Sequence, residues 1–390
     1  MFTFKKNISS LEYDEFYKNA DFVNFMQDYR WANVKDNFEN ILVGVYENDK
    51  LLLIASLLIR NVFSKYNLMY IPRGPIGDLT NTEITKIFFE NIKKIAKEKN
   101  CYVINVDPFV LNDQFNYKTK EKINNQFNKD SKIIHNNLLN NKLVHKGNVI
   151  SIKDSIQPRF HMVCDTSLDS DSILKSYKAK VRHDLGDFQK KRGVSYEITS
   201  DEKRLDDFIS IINETEARQG INLRNKEYFH KILSYFGSDS KLFFAHLDLN
   251  VYKNYLLNNN GKEEEINKVN ELLKDKDSIL LSACLVILPN NKEIKIAEYL
   301  YAGNKLEFPS IRISMGIVFE AIKYCSDNNI DYINLGGVDG DFKDHLSSFK
   351  AKYDPIVFEY LGDYDLILKP LIYYPIKHLL PIYKKLKKTK

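Results

Sequence analysis

The chain has 390 residues, 44% of them hydrophobic and 28% charged, with a formal net charge of +5. That composition excludes a disordered or fibrous chain, and the length predicts two or three domains of about 100–200 residues each. The longest apolar run, Leu51–Ile59, is far short of the ~18–20 residues of a membrane span. The N-terminal MFTFKKNISSLEYDEF lacks the apolar centre of a signal peptide, and Cys101, Cys164, Cys284 and Cys325 stand without CxxC or His pairing. These features predict a cytoplasmic protein with reduced thiols, no metal site and no disulfide frame, and the mild positive charge permits an anionic partner.

Ile41–Tyr46 and Leu51–Arg60 alternate as strands around an Asn48-Asp49 turn, and Leu68–Ile71 is a third strand ended by Pro72-Arg73-Gly74-Pro75. Asn81–Asn100 follows as an amphipathic helix, with Ile84, Ile87, Phe88, Ile92 and Ile95 at helical spacing, and Tyr102–Val106 is the next strand. Leu111–Lys146 is polar and reads as a helix with loops. The same order then returns as Lys241–Leu247, Ser278–Leu288, Glu293–Tyr301, helix Ser310–Asn328 and Asp331–Leu335. The similarity extends to letters. Leu52–Ile59 (LLIASLLI) recurs 228 positions later as Leu280–Ile287 (LLSACLVI). Phe89, Glu90, Ile92 and Lys93 recur 230 positions later as Phe319, Glu320, Ile322 and Lys323, and Tyr102 falls on Tyr332. A period this long indicates two copies of one domain rather than a solenoid, whose repeats run roughly 20–50 residues. The expected fold is therefore α+β: two tandem acetyltransferase-like (GNAT-like) β-β-β-α-β cores at 1–150 and 151–355. The segment 356–390 is expected to pack back on the first. A short helical hairpin, 250–277, is inserted in the second. Two like domains create a cleft, and ligand sites favour such interfaces.

Several residues could carry chemistry there. Lys35 follows Trp31, the only tryptophan, on an amphipathic segment. Asp107 ends a strand before Pro108, a position common both at cleft mouths and in turns. Ser176–Arg192 gathers Lys178, Lys180, Arg182, Lys190, Lys191 and Arg192, which suit phosphates as well as a solvated helix face. Arg224 precedes Tyr228 by four, a spacing that can clamp a phosphate and stack a ring. Tyr299 and Tyr301 alternate along a strand and are expected on one face. Gly336-Gly337-Val338-Asp339-Gly340 suggests close backbone approach to a ligand, and Phe349-Lys350 lies just beyond.

Taken in order, FMQDYRWANVK (Phe25–Lys35), YIPRGPIGD (Tyr70–Asp78), VDP (Val106–Pro108), IQPR (Ile156–Arg159), KAKVRHDL (Lys178–Leu185), ARQGINLRNKEYF (Ala217–Phe229), YLYAGN (Tyr299–Asn304), NLGGVDGD (Asn334–Asp341) and FKAKY (Phe349–Tyr353) resemble the FemABX/MurM-type aminoacyltransferases of peptidoglycan interpeptide bridges. The resemblance spans nearly the whole chain. It departs at Asp184, where the family usually has Asn, and in the inserted arm, much shorter than the coiled coil of several members.

The resemblance implies transfer of an amino acid from aminoacyl-tRNA to a stem-peptide amine of a lipid-linked or nucleotide-linked muramyl pentapeptide, with no cofactor. It implies that Lys35 and Arg224 hold the pyrophosphate, that Tyr102, Tyr228, Tyr301 and Phe349 shape the acceptor pocket, and that Asp107 and Lys350 act in catalysis. Lys178, Lys180, Arg182, Lys190, Lys191 and Arg192 would then meet tRNA. The alternatives are an acyl-CoA N-acyltransferase, for which no intact R/QxxGxG/A loop is found, and a non-enzymatic tRNA- or membrane-binding module. Ile372–Lys390, apolar and ending KKLKKTK, suits peripheral contact with the anionic inner membrane face, and equally a frayed solvated end.

Overall fold

The computed structural model describes residues 1–123, 130–185, 187–220 and 224–378. The basic tail Lys384–Lys390 and Ile221–Leu223 of the ARQGINLRNKEYF stretch lie outside the described residues.

Two mixed sheets organise the chain. Among the described residues, the first runs in the order Phe2–Lys6, Glu39–Glu47, Lys50–Phe63, Tyr66–Pro72, Cys101–Asp107, Tyr364–Ile367, Val144–His145, with Ile76–Gly77 alongside Lys50–Phe63. The second runs Val194–Thr199, Ser240–Asp248, Ser278–Ile287, Ile296–Asn304, Tyr332–Val338, Phe160–Asp165, Ile356–Tyr360, Leu111–Asn116. The duplication is visible in the strand directions. Lys50–Phe63 and Tyr66–Pro72 are antiparallel, and Tyr66–Pro72 and Cys101–Asp107 are parallel. Ser278–Ile287, Ile296–Asn304 and Tyr332–Val338 repeat that pattern.

The helix Thr82–Glu98 joins the parallel pair of the first copy. The Asn81 side chain caps it by accepting the Glu83 and Ile84 N–H groups, and Ile84, Phe88, Ile92 and Ile95 are buried against the sheet. Its counterpart Ile313–Asp327 is apolar nearly all round, because it lies between the second sheet and further helices. The insertion folds as two helices, Leu249–Asn258 and Glu263–Leu272. It packs back onto the body. The Tyr252 hydroxyl donates to Glu265 Oε1 at 2.6 Å, and its ring meets Phe308 edge-on at 5.2 Å.

The chain also exchanges strands between the sheets. Leu111–Asn116, from the polar stretch read as helix and loops, pairs with Ile356–Tyr360 in the second sheet, while Tyr364–Ile367 returns to the first. The breaks expected at 150 and 355 thus follow the sequence and not the sheets. Phe25, Trp31 and Val34 cross in the other direction. They complete an apolar cluster with Phe208, Ile212, Phe229, Leu233 and Leu285 of the second copy. This shared cluster, with the exchanged strands, fixes the cleft between the copies.

The two copies differ in one respect. In the first, after a register shift between Asn67 and Leu68, the parallel pair stays in register from Leu68 through Pro72 against Val103 through Asp107. In the second, pairing stops after Ile296–Glu298 against Tyr332–Asn334, although both strands continue. The strands splay, and the gap becomes a cavity.

Candidate active site

A cleft of about 1090 Å³ lies between the copies. Lys35, Arg60 and Tyr70 line it from the first copy, and Arg224, Tyr228 and Tyr301 from the second. Lys35 caps the C-terminus of the short helix Tyr29–Val34. Its ammonium stands 4.8 Å from the Trp31 ring centroid and 4.9 Å from that of Tyr228. Burial, and then the charge of Arg224, push the Lys35 ammonium down to about 8. Two cations thus crowd one end of the cleft, an arrangement that a bound dianion relieves. Tyr228 anchors that end. Its backbone N–H is capped by Asn225, and its hydroxyl accepts from Tyr301 at 3.2 Å. Lys231, paired with Asp36 at 2.5 Å and Glu227 at 2.8 Å, bridges the cleft walls.

The motif residues behind the wall shape it. Gln27 is fully buried. Its Nε2 donates to the Pro72 carbonyl at 2.7 Å, and its Oε1 accepts the Ser56 N–H at 3.0 Å. A Cβ on Gly74 would stand 2.5 Å from the Gln27 side chain, so the FMQ and PRGP motifs require each other.

Asp107 is not open to the cleft. It is 1% exposed, its Oδ1 accepts the Arg73 N–H at 3.0 Å, and Arg73 Nε lies 3.7 Å from Oδ2. Burial outweighs Arg73 and lifts the carboxyl to about 7. The Tyr70 hydroxyl interacts with this carboxyl, so Tyr70 stands between Asp107 and the cleft. Arg73 also donates to the Pro158 carbonyl and to His161 Nε2, each at 3.0 Å. His161 is held neutral by burial and by Arg73, and its other nitrogen lies 3.1 Å from Asn334 Oδ1. Glu298, buried and accepting from Asn24 Nδ2 at 2.7 Å, is lifted by burial to about 8. Sequence reasoning passed over Arg73, His161, Glu298 and Asn24. The motifs contained or bordered them without pairing them, because partners 88 to 274 positions apart meet only in the fold.

The splay cavity, about 540 Å³, holds Lys350 and also Phe349, which was expected in the acceptor pocket and does not line the cleft. Lys350 ends the helix His345–Lys350, is 7% exposed, and donates to the Gly337 carbonyl at 2.9 Å. Burial pushes its ammonium down to about 7. The glycine loop works differently from expectation. A Cβ on Gly337 would lie 2.2 Å from Pro158, and one on Gly340 would lie 2.3 Å from Phe160. Those glycines admit neighbouring chain, and Gly337 also lines the cavity. A Cβ on Gly336, at φ +87, would instead lie 3.5 Å from the Lys350 ammonium.

Three expectations need correction. Tyr102 does not line the cleft: it is 5% exposed in a cluster with Val103 and Tyr373, and its carbonyl accepts the Leu368 and Lys369 N–H groups. Tyr299 and Tyr301 do not share a face. The register places Leu285 opposite Tyr301 and Val286 opposite Tyr299, so Leu300 is a bulged residue and the alternation breaks. Tyr301 and Leu300 line the cleft, whereas Tyr299 lies in the splay cavity beside Cys284. The basic segment also divides. Arg182 donates to the Tyr177 carbonyl, and Arg192 donates to the Ser310 carbonyl and lies 4.8 Å from the Tyr255 ring. Both hold the fold locally. Lys180, Lys190 and Lys191 are exposed, and Lys178 lines a hollow of about 410 Å³ with Lys118, Lys120 and Lys352. Asp184, the departure from the family motif, pairs with Arg312 at 2.5 Å. All four cysteines are buried free thiols, and no metal-binding cluster occurs among the described residues.

Two GNAT-like cores, a cationic cleft between them and a splay cavity with a buried lysine define a tandem acyltransferase-type fold. The chain matches the FemAB family over residues 8–275 and 257–380, and it belongs to that family. It is similar to a Lipid II:glycine glycyltransferase of Staphylococcus epidermidis, with 26% identity covering 97% of this chain and 96% of that protein. It is also similar to the Aminoacyltransferase FemB of the same species, with 24% identity covering 90% and 91%. Among solved structures, FemX superposes with a TM-score of 0.78 over 96% of this chain and all of that one, at 24% identity. A tandem GNAT protein from clavulanic acid biosynthesis reaches 0.52 over 94% of this chain, at 7% identity, a likeness of fold alone. The protein is an aminoacyltransferase. No helix among the described residues is long and apolar enough to cross a membrane.

Proposed function

We propose that this enzyme moves an amino acid from aminoacyl-tRNA to the stem-peptide amine of a peptidoglycan precursor and so builds the interpeptide bridge. The observation that carries this reading is the meeting of two chambers, a cleft with Lys35 and Arg224 at one end and a splay cavity with the buried Lys350. Lys35 and Arg224 suit the pyrophosphate shared by lipid-linked and nucleotide-linked precursors. The names of the relatives favour the lipid-linked form. The splay cavity would receive the aminoacyl ester. The hollow with Lys118, Lys120, Lys178 and Lys352, aromatic at Tyr117 and Tyr177, offers a path for the tRNA phosphates.

The reaction needs no covalent enzyme intermediate. The neutral acceptor amine attacks the ester carbonyl, a C–N bond forms, the C–O bond to ribose breaks, and one proton passes from nitrogen to the ribose oxygen. Lys350 would stabilise the oxyanion, an effect of ~3 kcal/mol for one donor. Positioning of the two substrates lowers the barrier further. Asp107 would act through Tyr70 and not by direct contact.

The test combines purified protein, aminoacyl-tRNA and each precursor, followed by mass spectrometry of the product. Ribonuclease treatment of the donor should abolish transfer. Transfer that survives ribonuclease but requires an acyl-CoA would replace this reading with the N-acyltransferase one. Peripheral membrane contact through the basic tail fits a lipid-linked acceptor. Deleting Lys384–Lys390 should reduce sedimentation with anionic vesicles, and unchanged sedimentation would leave the tail a solvated end.

A further inference from the structure

Among the described residues, one alone lines both the cleft and the splay cavity: Leu300. Its place follows from two irregularities of the strand Ile296–Asn304. The bulge leaves Leu300 with no residue opposite it on the Ser278–Ile287 side. On the other side the pairing with Tyr332–Val338 has already ended at Glu298. Bulges re-aim side chains, and this one sends Tyr299 into the cavity and Tyr301 into the cleft, with Leu300 at the boundary. The cavity lining combines small residues, Ser282, Ala302, Gly303, Gly336 and Gly337, with the aliphatic Ile317, Val318, Leu335 and Leu346, none of which lines the cleft. Leu300 is therefore the bulky aliphatic group where the two chambers adjoin.

We propose that Leu300 is a specificity-determining residue. Its side chain partitions the donor chamber from the acceptor chamber and limits the size of the amino acid that can be transferred. This rests on the donor and acceptor assignment proposed above. Where the chambers meet, the ester carbonyl and the attacking nitrogen must come together, so the side chain of the transferred amino acid lies beside Leu300. A hydrophobic wall discriminates by volume, and a methylene more or less typically changes selectivity about 10–200-fold. Truncating Leu300 enlarges the donor side towards the cleft without touching Lys350, Lys35 or Arg224.

The experiment compares kcat/KM for glycyl-, alanyl-, seryl- and leucyl-tRNA in the wild type, Leu300→Ala and Leu300→Met. Leu300→Ala should raise the ratio of leucyl to glycyl transfer at least about tenfold, while Leu300→Met, close in volume, should stay within about threefold of the wild type. Acceptor affinity by calorimetry should change little in both. Leu300 also packs beside the buried cluster below the cleft. Leu300→Val, a smaller truncation, should therefore shift the ratio in the same direction if the alanine variant does not fold. A uniform loss for all donors, with the ratio unchanged, would overturn the proposal and leave Leu300 a packing residue. A wild type that transfers from no aminoacyl-tRNA would instead refute the reading on which the proposal rests.

Discussion

Lys350 sits where a charge is costly. Burial lowers its ammonium from the ordinary 10.5 to about 7 against the opposing charge of Asp344, and its hydrogen bond goes to a carbonyl, that of Gly337. A cation held this way is underused until negative charge develops beside it, which is the situation of a tetrahedral intermediate. Lys350→Met should thus cut kcat strongly and leave acceptor affinity within a few fold. If the ammonium is the working form, kcat should also decline as pH rises through about 7, and Lys350→Arg should lose that descending limb. Near-normal turnover in Lys350→Met would make it a packed lysine only. Lys35 and Arg224 pose the opposite case, two cations sharing one end of an open cleft. Lys35→Ala or Arg224→Ala should weaken precursor binding by about 1.5–3 kcal/mol each, the range for charge-assisted hydrogen bonds. Calorimetry with unchanged affinity in both would remove them from the site.

The strand Ile296–Asn304 does several things along nine residues. Glu298 closes the parallel pairing, Leu300 bulges, and Tyr301 reaches Tyr228. Glu298 is the stability risk. Its carboxyl has a folded value of about 8 against an ordinary 4.5, so the folded protein keeps a proton that the unfolded chain releases. Stability from this group is fully present below about pH 4.5, is lost progressively as pH rises, and is gone above about 8. Glu298→Gln keeps an acceptor for Asn24 and removes the titration. It should gain about 1–3 kcal/mol over the wild type at pH 8.5, and far less at pH 5.5. Denaturant melts showing the same difference at both pH values would contradict a buried titrating Glu298. Elements of this kind were only half legible in the sequence. Apolar periodicity located Ser278–Ile287, Thr82–Glu98 and their counterparts within a few residues, because their packing repeats along the chain. Tyr299 and Tyr301 misled, because a single bulge inverts the alternation and leaves no mark in composition. Tyr102 misled for a different reason. The resemblance put it in the acceptor pocket, but the returning segment at 364–373, distant in sequence, covers it instead.

At the scale of the molecule, the duplication has been used unequally. Tyr70 and Leu300 are 230 positions apart, the spacing of the repeat, and both line the cleft. Behind Tyr70 the first copy stays zipped to Asp107. Behind Leu300 the second copy opens at the level of Gly337. One copy has become a wall and the other a chamber, so on the proposed assignment both substrates would meet on the second copy's side of the cleft. The formal charge of +5 is spread over the whole chain, yet Lys118, Lys120, Lys178 and Lys352 gather around one hollow with Asp354, among the described residues, as its one acidic lining residue. Lys352 is pushed below its ordinary value by burial, and then by Arg312 and Lys180. Such crowding is relieved by a polyanion and is hard to explain as stabilisation of the fold. Lys178→Ala with Lys352→Ala should raise KM for aminoacyl-tRNA and flatten its dependence on salt. Each phosphate that the protein no longer neutralises takes roughly 0.7–0.9 from the slope of log K against log salt, so the double variant should lose up to about twice that. KM for the precursor should stay where it is, because these lysines lie outside the cleft. A parallel rise in both KM values, with the salt slope intact, would mean that the hollow supports the fold and that the tRNA approaches by another face.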